Sequence, residues 1–271
     1  MNESKVLLQR SAAVARITLN RPAVLNALDV EVLDLLASIL DELARDEMTR
    51  VVILTGSGPS AFSAGADIGF LARASALEVR DFAALAVEVT RRIEALGKPV
   101  IAALNGHTLG GGLELAEACM LRIAETHATL GHPEVRIGAV AGFGGTTRLP
   151  RLVGRGRAAD MLLTGRCIAA GEALGIGLVN RVVERGASLQ EAEAVARELC
   201  ALPPMAVRLT WEAMHRGMNL TLEEAARLGA DHFGLVAAGD EFRQSTSRWL
   251  ARKGAPRATA GRSGTSVDQA V

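Results

Sequence analysis

The chain has 271 residues, with 30 basic and 30 acidic side chains and no formal net charge. At about 150 residues per domain this is one large domain or two, long enough to bury a core without disulfides or a structural metal. Neutrality removes the field that would draw in nucleic acid or an anionic membrane, and Cys119, Cys167 and Cys200 stand too far apart for a zinc site or disulfide framework.

At the N-terminus, Gln9, Arg10 and Arg16 interrupt any apolar stretch a signal peptide would need. No apolar run reaches the roughly 18 residues of a membrane span. The expectation is a cytoplasmic protein. Its arginine- and alanine-rich composition, with lysine only at 5, 98 and 253, is that of a GC-rich bacterial coding sequence.

Val14–Leu19 alternates as a strand and stops at Asn20-Arg21-Pro22. Leu33, Leu36, Leu40 and Leu43 then recur at helical spacing, opposite Asp34, Asp41 and Glu42. Val51–Thr55 is wholly apolar, as a strand buried on both faces reads, and Gly56-Ser57-Gly58-Pro59 closes it. A helix over about 76–96 and a strand at Val100–Leu104 repeat the pattern. The glycine-rich segment 106–112 then reads as a turn opening a helix through Ala118, with another strand at 121–124. No repeat of fixed period is visible.

From Ala169 onward the chain reads as helical. Ser188-Leu189-Gln190-Glu191 and Thr221-Leu222-Glu223-Glu224 both match the capping box, and Asp240 suits the start of a last helix. The expected organisation is a mixed α/β core over 1–200, a helical region over 201–254 and a disordered, aperiodic tail over 255–271.

Three segments carry chemistry. They are Ala61-Phe62-Ser63-Ala64-Gly65-Ala66-Asp67-Ile68, Asn105 to Glu114 with three glycines at 110–112, and Gly131-His132-Pro133-Glu134 followed by Gly142-Phe143-Gly144-Gly145-Thr146. Small residues let backbone amides approach a ligand, and those at 110–112 stand where a helix begins and its amides are free. Two such amides aimed at one carbonyl oxygen would form an oxyanion hole. Taken alone, each glycine loop is more often a tight turn, Glu114 an acid favoured by the helix dipole, and Glu134 a solvated loop acid.

Other chemistries find less support. Gly56-Ser57-Gly58 lacks the dinucleotide fingerprint, and neither a GK[ST] phosphate loop nor a G-x-S-x-G elbow occurs. His107, His127, His132, His215 and His232 lack metal-ligand spacing, so no metal is expected, and His132 suits a local hydrogen-bonding role beside Glu134. Arg148, Arg151, Arg155 and Arg157 read as a solvated or subunit-facing surface.

The ordered set of motifs resembles the crotonase superfamily, the enoyl-CoA hydratases and isomerases. Leu19-Asn20-Arg21-Pro22, Leu25-Asn26-Ala27-Leu28, the three segments above and Leu163-Thr164-Gly165 carry that resemblance over residues 5–253. It implies a spiral of repeated ββα units with a C-terminal helical trimerisation region, assembled as a homotrimer or a hexamer of two trimers. It implies an acyl-CoA substrate and no separate cofactor, coenzyme A being part of the substrate. By the same resemblance, the amides of Ala66 and Gly111 form the oxyanion hole, Glu114 and Glu134 are the catalytic pair, and Gly142 places the water.

Substrate contacts are implied at Ala23, Val24, Leu25, Ala64, Asp67, Ile68 and Gly69, with 69–86 shaping the acyl pocket. Relatives often carry lysines where Ala23 and Gly69 stand, so CoA phosphates would need other groups, such as Arg21, Arg73 or a neighbouring subunit's Lys253. Retention of both glutamates points to hydration of a trans-2-enoyl-CoA, Glu114 acting mainly on water and Glu134 mainly at Cα. The alternatives are an enoyl-CoA isomerase, a specialised acyl-CoA dehydratase, an RNA-binding relative, and a catalytically quiet subunit of a larger complex. Zero net charge and the absence of a lysine-rich segment weigh against RNA.

Overall fold

A computed structural model describes residues 4–254 of the chain, the side chains of 252–254 excepted. The expected tail over 255–271 lies outside the described residues. β1 (Val6–Ser11) and β2 (Val14–Leu19) form an antiparallel hairpin. A 3-10 turn at Pro22–Val24 leads into left-handed Leu25 and Asn26, then α1 (Val30–Arg45), whose first turn is capped by the Asp29 carboxylate.

Three turns of a right-stepping staircase follow. β3 (Val51–Gly56), β4 (Ala61–Ser63), α2 (Ile68–Leu71) and α3 (Ala76–Glu94) make the first. β5 (Val100–Leu104), β6 (His107–Leu109) and α4 (Gly111–Ala118) make the second, and β7 (Leu121–Glu125) with β8 (Thr129–Gly131) opens the third. In each turn one strand enters a six-stranded sheet, ordered β1-β2-β3-β5-β7-β10, and the next enters a four-stranded sheet, ordered β4-β6-β8-β9. The structural repeat thus exists without a repeat in sequence. The third turn continues through a 3-10 turn at Glu134–Ile137, then α5 (Gly145–Val153) and α6 (Arg155–Thr164). It closes with β9 (Cys167–Ala169), α7 (Ala170–Gly175) and β10 (Arg181–Val183).

The larger sheet is covered on both faces, which is why β3 is apolar from Val51 to Leu54 and β5 throughout. Val52, Leu54, Val100, Ala102 and Leu104 face the main core with Leu33, Leu36, Leu40 and Phe82 from α1 and α3. Val51, Ile53, Ile101, Ala103 and Ile123 face the other way, against Ala192, Val195 and Ala196 of α8 (Ser188–Cys200). Two buried asparagines tie the loops between the sheets. The Asn26 amide donates to the carbonyls of Ser57 and Ala61, and that of Asn105 to those of Gly56 and Gly58. Each satisfies backbone acceptors that short strands leave unpaired.

α9 (Pro204–Gly217), α10 (Leu222–Ala237) and α11 (Asp240–Gly254) complete the chain. Thr221 and Glu224 form the expected capping box, and Ser75 with Glu78 forms another at α3. Ser188 does not cap α8. It is already the first helical residue, with Ala187 at the cap position, and its buried hydroxyl donates to Glu125 at the end of β7 at 2.7 Å. The region after Ala169 is also less purely helical than expected, since β10 extends the large sheet by pairing in parallel with β7.

Candidate active site

All three staircase turns bring loops to one cavity of about 750 Å³, with α2 and α3 forming part of its wall. Ala64, Ala66 and Ile68 line it from the first loop, and Gly110, Gly111 and Glu114 from the start of α4. Glu134, Val140 and Gly142 line it from the segment after β8, and Leu71, Val79, Phe82 and Ala83 supply an apolar wall. Phe82 is packed between Phe70 and Phe143, with ring centroids 5.0 and 5.3 Å away.

Two backbone amides are presented to this space by ordinary secondary-structure rules. Ala66 forms a parallel bridge with Leu28, whose partners are Gly65 O and Asp67 N. In a parallel bridge the central residue's own N–H points the other way, so that of Ala66 turns away from Leu28. In α4 the first intrahelical bond runs from Glu114 N to Gly110 O, so the Gly111 amide precedes it and has no acceptor within the helix. The two loops touch: a side chain on Gly65 would meet Leu109 O at 2.8 Å and the Gly111 nitrogen at 3.3 Å. A side chain on Gly111 would meet the Phe143 ring at 2.5 Å. Glycine is therefore required at both positions for the amides to converge.

Glu114 is 1% exposed. One carboxylate oxygen accepts the amide protons of Phe143 at 2.7 Å and Gly145 at 2.6 Å, the latter the first residue of α5. Burial pushes this carboxyl up to about 7, against the pull of the Gly145 amide and nearby His132, with Glu117 and Glu134 adding to the rise. Such a group holds or releases a proton near neutral pH. Arg148 keeps the amide donors in place. Its guanidinium donates to Phe143 O at 2.9 Å and pairs with Glu94 at 2.6 Å. It is thus largely buried and structural, correcting its reading as part of a solvated arginine surface.

Glu134 begins the 3-10 turn after Pro133, and its carboxylate lies against Gly110, where a Cβ would meet its oxygen at 3.0 Å. Both of its oxygens are buried without a hydrogen-bond partner. His132 was expected to have a local role beside it. The imidazole is fully enclosed, with Nδ1 3.6 Å from Glu134 and Nε2 2.8 Å from Glu117. Glu117, one turn along α4 from Glu114, carries no signal in the sequence that separates it from an ordinary helix acid.

The remaining predicted contacts do not line the cavity. Val24 and Leu25 are exposed, and Leu25 O accepts the Ala64 amide at 2.9 Å. Together with Ala23 in the same turn they brace the loop from behind. Asp67 caps α2 and pairs with Arg21 at 3.2 Å, while Gly69 sits beside the Asp67 carboxylate. Arg21 also pairs with Asp29, so its charge is taken up within the protein.

Comparison with known proteins accords with this geometry. The family model for enoyl-CoA hydratase/isomerase matches residues 9–256. The chain belongs to the enoyl-CoA hydratase/isomerase family. Among family members, the short-chain-enoyl-CoA hydratase of Clostridium acetobutylicum is 40% identical over 253 residues, covering 93% of this chain and 97% of its own. The crotonyl-CoA hydratase of Syntrophomonas wolfei is 42% identical over the same shares. The solved enoyl-CoA hydratase of Bacillus anthracis superposes with a TM-score of 0.89 at 36% identity, over 92% of this chain and 96% of that one. The spiral of repeated ββα units expected from the resemblance is therefore the family fold.

Proposed function

We propose that this protein is an enoyl-CoA hydratase, adding water syn across the double bond of a trans-2-enoyl-CoA, reversibly and without a cofactor beyond the CoA of the substrate. The observation that carries this reading is one cavity lined by two carboxylates, Glu114 and Glu134, and by the Ala66 and Gly111 backbones. The thioester carbonyl is held by the two amides. Water loses a proton to Glu114 as its oxygen bonds to Cβ, and the displaced electron pair moves onto the thioester oxygen as an enolate. Cα then takes a proton from Glu134, and the pair restores its proton count through exchange with solvent. One oxyanion donor is typically worth about 3 kcal/mol of barrier. Gly142 lines the cavity beside Glu114, where a water would be placed.

The activities for which the relatives are named, hydration of short-chain enoyl-CoA and of crotonyl-CoA, support the same reading and an acyl-CoA substrate. Leu222, Phe233, Leu235 and Leu250, all exposed on the C-terminal helices, support assembly as a homotrimer or a hexamer of two trimers. Among the described residues no helix is long and apolar enough to cross a membrane, which fits a cytoplasmic enzyme. The test is incubation with trans-2-enoyl-CoA esters of several chain lengths, following loss of conjugated thioester absorbance and gain of one water by mass. Hydration of one length supports the reading. Inert 2-enoyl esters with conversion of 3-enoyl esters would replace it with an isomerase.

A further inference from the structure

Beneath the cavity floor, three charged side chains form a row with an unusual hydrogen-bond deficit. Glu117 projects from α4 and His132 from the position directly after β8, both side chains fully enclosed, with Glu134 next in line. Glu117 Oε1 is bonded to His132 Nε2 at 2.8 Å. His132 Nδ1 and both oxygens of Glu134 are buried without hydrogen-bond partners, yet Nδ1 faces Glu134 Oε1 at 3.6 Å. Buried polar groups are rarely left so unless the site has a use for them.

We propose that Glu117 and His132 form a buried carboxylate–imidazolium pair that positions the Glu134 carboxyl toward Cα. The proposal rests on the reading of Glu134 as the group that exchanges the Cα proton. A bonded carboxylate on Nε2 fixes the ring and favours its charged form, leaving Nδ1–H to point at Glu134. Burial by itself would lower the affinity of His132 for a proton, but the two carboxylates outweigh it and hold the ring up to about 10.

The other charges around His132 come from several elements. Glu114 on α4 and the Cys167 thiol on β9 lie near the ring, Arg136 of the 3-10 turn stands near Cys167, and Arg148 of α5 acts on Glu114 and Glu117. Behind Glu117, a second cavity of about 530 Å³ is lined by Glu94, Arg151 and His215 as well. None of these is bonded to either ring nitrogen, so Glu117 and Glu134 are the groups whose removal should be felt.

The deciding experiment titrates His132 itself in ¹⁵N-histidine-labelled full-length protein, its resonances assigned by their loss in His132→Gln. An imidazolium pattern persisting above about pH 8 is expected, with the titration moving down by one unit or more in both Glu117→Gln and Glu134→Gln. A neutral ring at pH 8, or a titration unmoved by Glu134→Gln, overturns the proposal whatever the enzyme turns over. If the wild type hydrates enoyl-CoA, a second readout applies. His132→Gln should lower kcat more than it raises KM and move the limb of the kcat/KM profile that reports Glu114 up by about a unit, because that carboxyl loses a neighbouring cation. An unmoved limb with activity reduced equally at every pH would mean the pair only supports the fold, and would also overturn it. Wild type inert on every enoyl-CoA would refute the hydratase reading alone, leaving the His132 titration to decide this one.

Discussion

Glu114→Gln separates the chemistry of this carboxyl from its cost to the fold. The glutamine carbonyl can still accept the Phe143 and Gly145 amides, so the local geometry survives. Catalysis should not. Removing a general acid or base typically costs 10²- to 10⁴-fold, and kcat for hydration should fall about that far. Stability should move the opposite way. Burial holds the Glu114 carboxyl at about 7 against an ordinary 4.5, so the folded state prefers the protonated form. Its stabilising contribution is complete below about pH 4.5 and is lost as pH rises through 7. At about 1.4 kcal/mol per unit, the loss amounts to roughly 3 kcal/mol by pH 8. Relative to the wild type, Glu114→Gln should therefore gain about 2–3 kcal/mol between pH 4.5 and pH 8. Urea denaturation of both proteins at matched concentration across that range is the assay. A constant difference between them would refute the claim that the fold carries an unfavourable charge at Glu114, and near-normal turnover would refute its catalytic role.

Two other perturbations probe the supports of the site. Gly111→Ala places a methyl 2.5 Å from the Phe143 ring, whose residue also supplies one amide to Glu114. Overpacking of this kind costs about 1–3 kcal/mol, and kcat should fall with little change in KM, as thermal denaturation and steady-state kinetics would show. Arg148→Met leaves the Glu94 carboxylate unpaired and releases Phe143 O. A loss of about 3 kcal/mol in denaturant titration is expected, and a loss below about 1 kcal/mol would mean the pair is effectively solvated.

Much of the scaffold was legible because long elements announce themselves. The run of leucines in α1 and the apolar runs of β3 and β5 each report a face or a layer that must be buried. The smaller sheet was not legible. β4, β6 and β8 are three residues each, too short for any period, and β6 lies inside what reads as a glycine turn. Those strands pair only with one another and with β9, so their existence depends on contacts remote in the sequence. At Ser188 likewise, the local capping pattern carries no sign that the hydroxyl bonds an acceptor 63 residues away.

The site shows the same division between local and remote causes. Glycines at 110–112 beside an acid at a helix start are a local pattern, and the amide geometry follows from it. That Glu114 lies under the N-terminus of α5, while Glu117 one turn later reaches His132, depends on how α4 packs against the segment after β8. One helix turn thus separates two acids with opposite fates. Glu114 meets two amides and the cavity, and burial holds its proton near neutral pH; Glu117 meets an enclosed imidazole and can serve as its counter-charge. With equal numbers of cations and anions over the whole chain, net charge carries no trace of this arrangement. Of the acids gathered here, Glu114 and Glu134 line the cavity and are the ones a substrate can reach. One mobile proton shared between two acids is what addition and removal of water across a conjugated thioester require.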